Sequence, residues 1–221
     1  MKELYIIHGW TYNAENWDRT LLRLEKGGAK VHFLRVPGLT TPSDKVWTID
    51  DYVKWADENI PNGAIALGHS NGGRILLNLC SKNPDKLQKL ILLDSAGIYE
   101  PSLKKNITKT LAKIGKPFKK ITIVDKAFHK ITGSTDYAKA PENMKRTLEN
   151  MLESDKSLRP ETVTTKTAIL WGKKDQITPV RQANKLNELM PNSTLKFFDE
   201  WPHSAYLTDS DGLADAILEE L

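Results

Sequence analysis

The sequence predicts an α/β fold, in which a mostly parallel sheet is covered by helices on both faces. Short apolar runs rich in Ile, Leu and Val recur along the chain, and segments with helical periodicity separate them. The composition is that of a globular protein, with 39% apolar and 27% charged side chains over 221 residues. A chain of this length is expected to form one domain with a sizeable buried core.

The order of the predicted elements follows from the hydrophobic pattern. Asp50 and Asp51 near the start of one helical segment, and Pro179 just inside another, are typical of helix N-termini. The predicted helices span residues 14–26, 49–59, 71–82, 179–190 and 210–221. The predicted strands, about six in number, span residues 4–7, 31–36, 64–67, 90–93, 167–171 and 194–198.

The alternation of strands and helices breaks once, after the strand that ends near Asp94. Residues 97–165 contain no convincing strand and instead read as three amphipathic helices, whose apolar faces include Leu111, Phe118 and Met144. A helical insertion of this size between two strands is typical of a lid. We therefore predict an α/β core from residues 1–96 and 166–221, with residues 97–165 as a helical lid.

The most informative motif is GHSNGG at residues 68–73, between an apolar run and a helical segment. A serine in a sharp strand-to-helix turn has a strained backbone that turns its hydroxyl out of the sheet, and flanking glycines remove Cβ atoms that would collide there. This is the G-x-S-x-G nucleophile elbow, so Ser70 is the candidate nucleophile.

A serine hydroxyl needs a base, and the base needs an orienting carboxylate. Downstream of Ser70, Asp175 follows the fifth predicted strand and His203 follows the sixth, in the chain order Ser–Asp–His that this elbow requires. Asp94 is the alternative acid; it would otherwise brace a loop at the end of its strand. We also expect His8 and His69 to brace loops rather than to transfer protons.

A tetrahedral intermediate needs two N–H donors for its oxyanion. In a fold with this elbow they come from the residue after the nucleophile and from the first strand–helix loop, which assigns Asn71 and Trp10. The Trp10 side chain either walls the substrate pocket or packs beneath the lid. Leu111 and Phe118 are further candidates for the pocket wall.

With these residues in place, the chain resembles the α/β-hydrolase superfamily over nearly its whole length. Residues 6–17, IIHGWTYNAENW, are similar to the same stretch of pimeloyl-carrier-protein methyl ester carboxylesterases and related small esterases. The chain departs from such relatives in starting directly at the strand before His8, which predicts a minimal six-stranded sheet, and in lacking an aspartate before Pro37-Gly38. The resemblance implies a serine that is acylated and then freed by water, without cofactor or metal.

The predicted activity is hydrolysis of carboxylic esters with small or medium apolar acyl groups. The same residues would also serve a lactone, thioester or C–C hydrolase, or be retained in a non-catalytic ligand-binding protein. One cysteine, Cys80, excludes an internal disulfide, and no signal peptide or membrane span is recognisable, so we predict a cytoplasmic protein.

The net charge of +4 is concentrated in the predicted lid. The excess positive charge of the lid comes from a group of lysines. They form either a solvated helix surface or a docking face for an anionic partner, such as an acyl carrier protein or an acidic membrane surface. No nucleic-acid-binding motif accompanies them. The lysines are Lys104, Lys105, Lys109, Lys113, Lys116, Lys119, Lys120, Lys126 and Lys130.

Overall fold

The structure, a computed structural model, describes residues 2–99 and 140–221. Over these residues the strands form one six-stranded sheet in the order β2-β1-β3-β4-β5-β6, and every neighbouring pair is parallel. This confirms the predicted fold class. The strands are β1 Lys2–Ile7, β2 Ala29–Leu34, β3 Ala64–His69, β4 Leu87–Leu93, β5 Thr167–Gly172 and β6 Ser193–Phe198.

Seven α-helices accompany the sheet in the described part of the chain. Three come before residue 100, and the rest follow residue 140. Short 3-10 turns at Glu15–Trp17 and Pro160–Thr162 supplement them. The helices are α1 Asp18–Lys26, α2 Ile49–Asn59, α3 Asn71–Lys82, α4 Glu142–Ser154, α5 Val180–Leu189, α6 Ala205–Thr208 and α7 Ser210–Glu219.

The second strand lies two residues earlier than the sequence pattern predicts. Val36 is fully buried, which explains its apolar character, but it is part of a turn. Its N–H donates to Thr40 Oγ1 at 2.8 Å, and its carbonyl accepts from the N–H groups of Leu39 and Thr40. An apolar residue whose backbone groups are used in a turn cannot extend the strand ladder. The first helix is likewise shorter than predicted, because its opening residues form the 3-10 turn.

The hydrophobic core lies on both faces of the sheet, as expected for a parallel sheet. In β1, Tyr5 and Ile7 belong to the cluster on one face, whereas Leu4 and Ile6 belong to the cluster on the other. All four residues are at most 9% exposed. None of the helices described is long and apolar enough to span a bilayer.

Residues 100–139, which contain most of the predicted lid, lie outside the described residues, so the domain division stays a prediction. The last predicted lid helix is α4, and it packs directly against the core. Met144 and Met151 belong to the same cluster as Val36. Thr147 Oγ1 accepts a hydrogen bond from the N–H of Trp47 at 2.9 Å, which fixes α4 to the segment before α2.

Candidate active site

The turn between β3 and α3 places Ser70 at the carboxyl end of the sheet. Ser70 has φ 51° and ψ −116°, and its N–H donates to the carbonyl of Leu93 at 3.1 Å. A Cβ on Gly68 would lie 2.6 Å from Gly73 Cα, and one on Gly72 would lie 2.0 Å from the carbonyl oxygen of Ile7. Only glycine therefore fits at these two positions, and the turn can be as tight as the strained serine requires.

The structure brings Ser70, His203 and Asp175 together, although Ser70 lies more than 100 residues before the other two in the chain. Ser70 Oγ lies 2.9 Å from His203 Nε2, and His203 Nδ1 lies 2.8 Å from Asp175 Oδ2. Because a carboxylate only accepts, Nδ1 carries the proton and Nε2 is free to accept from the serine hydroxyl. His203 and Asp175 are 6% and 5% exposed, so water competes little for these hydrogen bonds.

The loop after β5 holds Asp175 as an ionised carboxylate. Its Oδ1 accepts from the N–H groups of Ile177 and Thr178 at 2.7 and 3.0 Å, and its Oδ2 accepts from Thr178 Oγ1 at 2.6 Å. Burial raises the pKa of Asp175, but the charge of His203 and these hydrogen bonds outweigh it and hold the pKa below its usual value.

Sequence reasoning missed Thr178, although a signal was available. In an Asx turn, the aspartate side chain accepts from the N–H groups two and three residues later. The sequence signal is therefore the spacing, because Thr178 is three residues after Asp175. Its Oγ1 also lies 3.2 Å from His203 Nδ1. Thr178 therefore contacts both members of the acid–base pair.

Asp94, the alternative acid, lies on the same edge of the sheet but makes no hydrogen bond to His203 among the described contacts. It is fully buried, and its Oδ1 accepts from the N–H of Gly172 at 2.8 Å. Burial, and then the charge of Asp175, raise its pKa well above the usual value. Because Asp94 makes no hydrogen bond to His203 among the described contacts, the structure favours Asp175 as the partner of His203.

The two candidate oxyanion donors come from the loop after β1 and from the first turn of α3. These segments touch, because a Cβ on Gly9 would lie 3.0 Å from Ser70 Cβ. Within the described residues, neither the N–H of Trp10 nor that of Asn71 donates to another group. The half-buried Trp10 side chain packs against Ala140 and Leu148 beside α4. Leu111 and Phe118, the other pocket candidates, lie outside the described residues.

Two buried histidines support the loops of the site. His8 Nδ1 donates to the carbonyl of Gly9 at 2.7 Å, and its Nε2 accepts from Thr40 Oγ1 at 2.8 Å. His69 Nε2 donates to the carbonyl of His203 at 2.9 Å. Burial lowers the pKa of His8 to about 4 and that of His69 to about 3. Both side chains are therefore neutral near pH 7 and act as braces.

A buried ion pair lies beside the nucleophile turn, and sequence reasoning missed it. The Arg74 guanidinium binds both oxygens of Asp155, with Nε–Oδ1 2.7 Å and Nη2–Oδ2 2.9 Å. Its Nη1 donates to Asn71 Oδ1 at 2.6 Å. The residue after Ser70 is thereby connected to the end of α4. No single motif marks this pair, because its partners lie in segments that only the tertiary fold brings together.

The site contains a hydroxyl with an adjacent base, a carboxylate that orients the base, and, near the hydroxyl, two N–H groups that donate to no other group of the described residues. This arrangement can activate a nucleophile and stabilise a tetrahedral oxyanion. Among the described residues, no group of three or more His, Cys, Asp or Glu side chains has the geometry of a metal site.

Comparisons with known proteins identify the family of the chain. The chain is 21% identical to a pimeloyl-[acyl-carrier protein] methyl ester esterase of Vibrio cholerae, over 99% of this chain and 93% of the relative. It is 24% identical to a protein of the same name from Neisseria meningitidis, over 97% and 91%. A lipase-esterase related protein of Clostridium acetobutylicum superposes with a TM-score of 0.74 at 18% identity, over 100% and 94%. A model of the alpha/beta hydrolase fold family matches residues 3–210, and the chain therefore belongs to the α/β-hydrolase family.

Proposed function

We propose that this protein is a carboxylesterase in which Ser70 is the nucleophile, His203 the general base and Asp175 the orienting acid. The observation that carries the proposal is the hydrogen-bonded series Ser70 Oγ–His203 Nε2 and His203 Nδ1–Asp175 Oδ2, which begins at a serine with positive φ. A strained serine that is hydrogen-bonded to an oriented imidazole is the arrangement that nucleophilic acyl transfer requires.

In the acylation half, Ser70 Oγ attacks the ester carbonyl carbon while its proton moves to His203 Nε2. The carbonyl oxygen becomes an oxyanion that accepts from the N–H groups of Trp10 and Asn71. Asp175 stabilises the imidazolium through its hydrogen bond to Nδ1. The tetrahedral intermediate then collapses, Nε2–H protonates the leaving alkoxide, and an alcohol departs from an acyl–Ser70 ester.

In the deacylation half, water takes the place of the alcohol. His203 Nε2 accepts a proton from the water as its oxygen attacks the acyl carbon, and the same two N–H groups bind the second oxyanion. Collapse breaks the bond to Ser70 Oγ, which recovers its proton from Nε2. The carboxylic acid leaves, and the chain needs no cofactor or metal for either half.

The substrate class that fits best is an ester with an apolar acyl group of small to medium size. The apolar faces predicted for residues 97–165 and the half-buried Trp10 support an apolar pocket. The names of the relatives specify a methyl ester on an acyl carrier protein. We therefore propose that an acyl carrier protein is the partner of this chain and that it docks on the lysine-rich lid. We also propose that the protein is cytoplasmic.

Thioester, lactone and C–C bond hydrolysis are the alternatives, and a panel of substrates separates them from ester hydrolysis. We expect turnover of p-nitrophenyl acetate and of longer p-nitrophenyl and methyl esters that exceeds turnover of matched thioesters and lactones. Ser70→Ala is the control and should abolish the activity. An unchanged rate in Ser70→Ala, or inactivation by a chelator that a divalent ion reverses, would contradict the proposal.

A further inference from the structure

Asp94 and Asp175 are two buried carboxyl groups, 0% and 5% exposed, that follow the neighbouring strands β4 and β5. We propose that Asp94 is a neutral carboxylic acid that positions Asp175, so that the site holds one negative charge and one protonated carboxyl group. This inference rests on the proposed function, because Asp175 is its orienting acid. Asp94 is a positioning residue here, since it acts through Asp175 and does not touch the reacting atoms.

The backbone conformation of Asp94 places its side chain beside the loop that follows β5. Asp94 and Ser70 are the two non-glycine residues with positive φ in the described chain, at 44° and 51°. Asp94 N–H donates to Leu170 O at 3.1 Å in β5, and Asp94 Oδ1 accepts from the N–H of Gly172 at 2.8 Å. The strained residue thus joins the end of β4 to the end of β5, where the segment that carries Asp175 begins.

The same residue also contacts the far end of that segment. The Asp94 carbonyl lies 3.0 Å from Thr178 Oγ1, the hydroxyl that lies 2.6 Å from Asp175 Oδ2. Asp94 therefore contacts both Gly172 and Thr178, the two residues that bracket the turn with Asp175. A displacement of Asp94 should move the carboxylate that holds the His203 imidazole.

The distribution of hydrogen-bond donors indicates which carboxyl group carries the charge. Asp175 receives four hydrogen bonds, from Ile177 N, Thr178 N, Thr178 Oγ1 and His203 Nδ1. Asp94 receives one, and no N–H or O–H donor of the described residues reaches its Oδ2. A buried carboxylate oxygen without a donor is costly. A protonated Oδ2 avoids this cost, because its O–H can donate to the neighbouring Asp175 carboxylate.

The surrounding charges lead to the same assignment. Asp94 is 0% exposed, and within the described chain no Lys, Arg or His forms an ion pair with it. Among the described charged groups, Asp175 is the one that acts on Asp94, and it has the same sign of charge. Two adjacent buried carboxylates cannot both ionise, and the one with four donors, the His203 imidazole among them, keeps its charge. Burial and the charge of Asp175 accordingly raise the pKa of Asp94, whereas the pKa of Asp175 is lowered.

Three variants test the proposal through kcat and KM. Asp94→Asn keeps an acceptor for Gly172 N–H and a donor toward Asp175, so its kcat should stay within about threefold of wild type. Asp94→Leu removes both and should lower kcat by about tenfold or more with little change in KM. Asp175→Asn, the comparison, should lose about 10⁴-fold in kcat. A loss in Asp94→Asn equal to that in Asp175→Asn would overturn the proposal, and so would an unaffected Asp94→Leu.

The protonation state has two readouts that do not depend on activity. Because the folded-state pKa of Asp94 is raised above its unfolded value, wild type should lose stability relative to Asp94→Asn as pH rises above about 4, so the Tm difference should shift in favour of the variant with increasing pH. The infrared carbonyl stretch of a protonated carboxyl group should be present in wild type at pH 7 and absent from Asp94→Asn. A pH-independent Tm difference together with no lost stretch would refute the neutral acid, even if Asp94→Leu did not fold. These readouts remain valid if the protein lacks esterase activity, which separates this proposal from the proposed function.

Discussion

The His69 imidazole donates its Nε2–H to the backbone carbonyl of His203, 2.9 Å away. His69 is the residue before the strained serine, so this hydrogen bond joins the loop of the base directly to the turn of the nucleophile. The His69 ring also packs against Trp17 and Tyr206, with centroid distances of 5.6 and 5.3 Å, which fixes its orientation.

Removal of this hydrogen bond should affect the rate more than substrate binding. We expect His69→Phe, which keeps a planar ring but has no donor, to lower kcat by about tenfold while KM changes little. His69→Gln retains an N–H donor and should lose less. Steady-state kinetics on one p-nitrophenyl ester gives both parameters, and equal losses in the two variants would show that ring packing, not the hydrogen bond, matters.

The same buried histidines should make the protein sensitive to acid. His8 and His69 have folded-state pKa values of about 4 and about 3, against an ordinary value of 6.5. The unfolded chain therefore binds protons below 6.5 that the folded chain refuses, and the free energy of unfolding falls as pH falls. Each histidine contributes about 1.4 kcal/mol per pH unit between about 6 and 4.

Urea unfolding at several pH values measures this slope, and the imidazole NMR signals of His8 and His69 should not titrate above pH 5. The matched variants are His8→Gln and His69→Gln, each of which should reduce the slope by about 1.4 kcal/mol per pH unit between about pH 6 and 4. Titration of His8 or His69 near 6.5 would contradict the prediction.

Replacing one partner of the Arg74–Asp155 pair should lower the free energy of unfolding more than replacing both partners. Its side chains are 5% and 8% exposed, so Asp155→Asn leaves a buried guanidinium without its counter-ion. We expect a loss of about 3 kcal/mol in the free energy of unfolding, and recovery of much of it when Arg74→Met is added. Asp211→Asn, which breaks the exposed pair with Arg19, is the matched control and should barely move the urea midpoint. A comparably small effect of Asp155→Asn would refute the claim.

A carrier protein that docks on the lysine-rich lid should make turnover sensitive to salt. Raising the salt from about 0.1 M to 1 M shortens the screening length from about 10 to 3 Å and should reduce kcat/KM for a carrier-bound ester by about tenfold or more. A neutral p-nitrophenyl ester should stay within about twofold. Charge reversal at Lys105, Lys109 and Lys116 should reproduce the selective loss. Equal salt dependence for both esters would assign these lysines to ordinary solvated surface.

The sequence was sufficient for elements that local pattern determines. The six strands and the nucleophile turn depend on runs of apolar residues and on glycine spacing. The predicted bounds of the strands lie within three residues of the observed bounds. Val36 is the instructive difference, because its burial resembles that of a strand residue while its backbone groups belong to a turn. Hydrophobicity reports burial and does not report which hydrogen bonds the backbone makes.

The site could be predicted only as far as chain order constrains it. The order Ser–Asp–His selected residues that the structure brings within hydrogen-bond distance, and the proximity of Asp94 to Asp175 was not foreseen. That proximity depends on β4 and β5 being neighbours in the sheet and on the positive φ of Asp94. The Arg74–Asp155 pair likewise depends on the tertiary contact between Arg74 in α3 and Asp155 at the end of α4. Pairings of this kind arise from tertiary contacts between distant segments, which a local sequence pattern does not predict.

Covalent labelling by a fluorophosphonate tests the central claim most directly, namely that His203 activates Ser70 as a nucleophile. Intact-protein mass spectrometry should show one phosphonyl group per chain, and peptide mapping should locate it at Ser70. His203→Ala should label at least about 10³-fold more slowly, and Ser70→Ala should not label at all. Wild-type protein that stays unlabelled, or that labels elsewhere at the same rate in Ser70→Ala, would contradict the account.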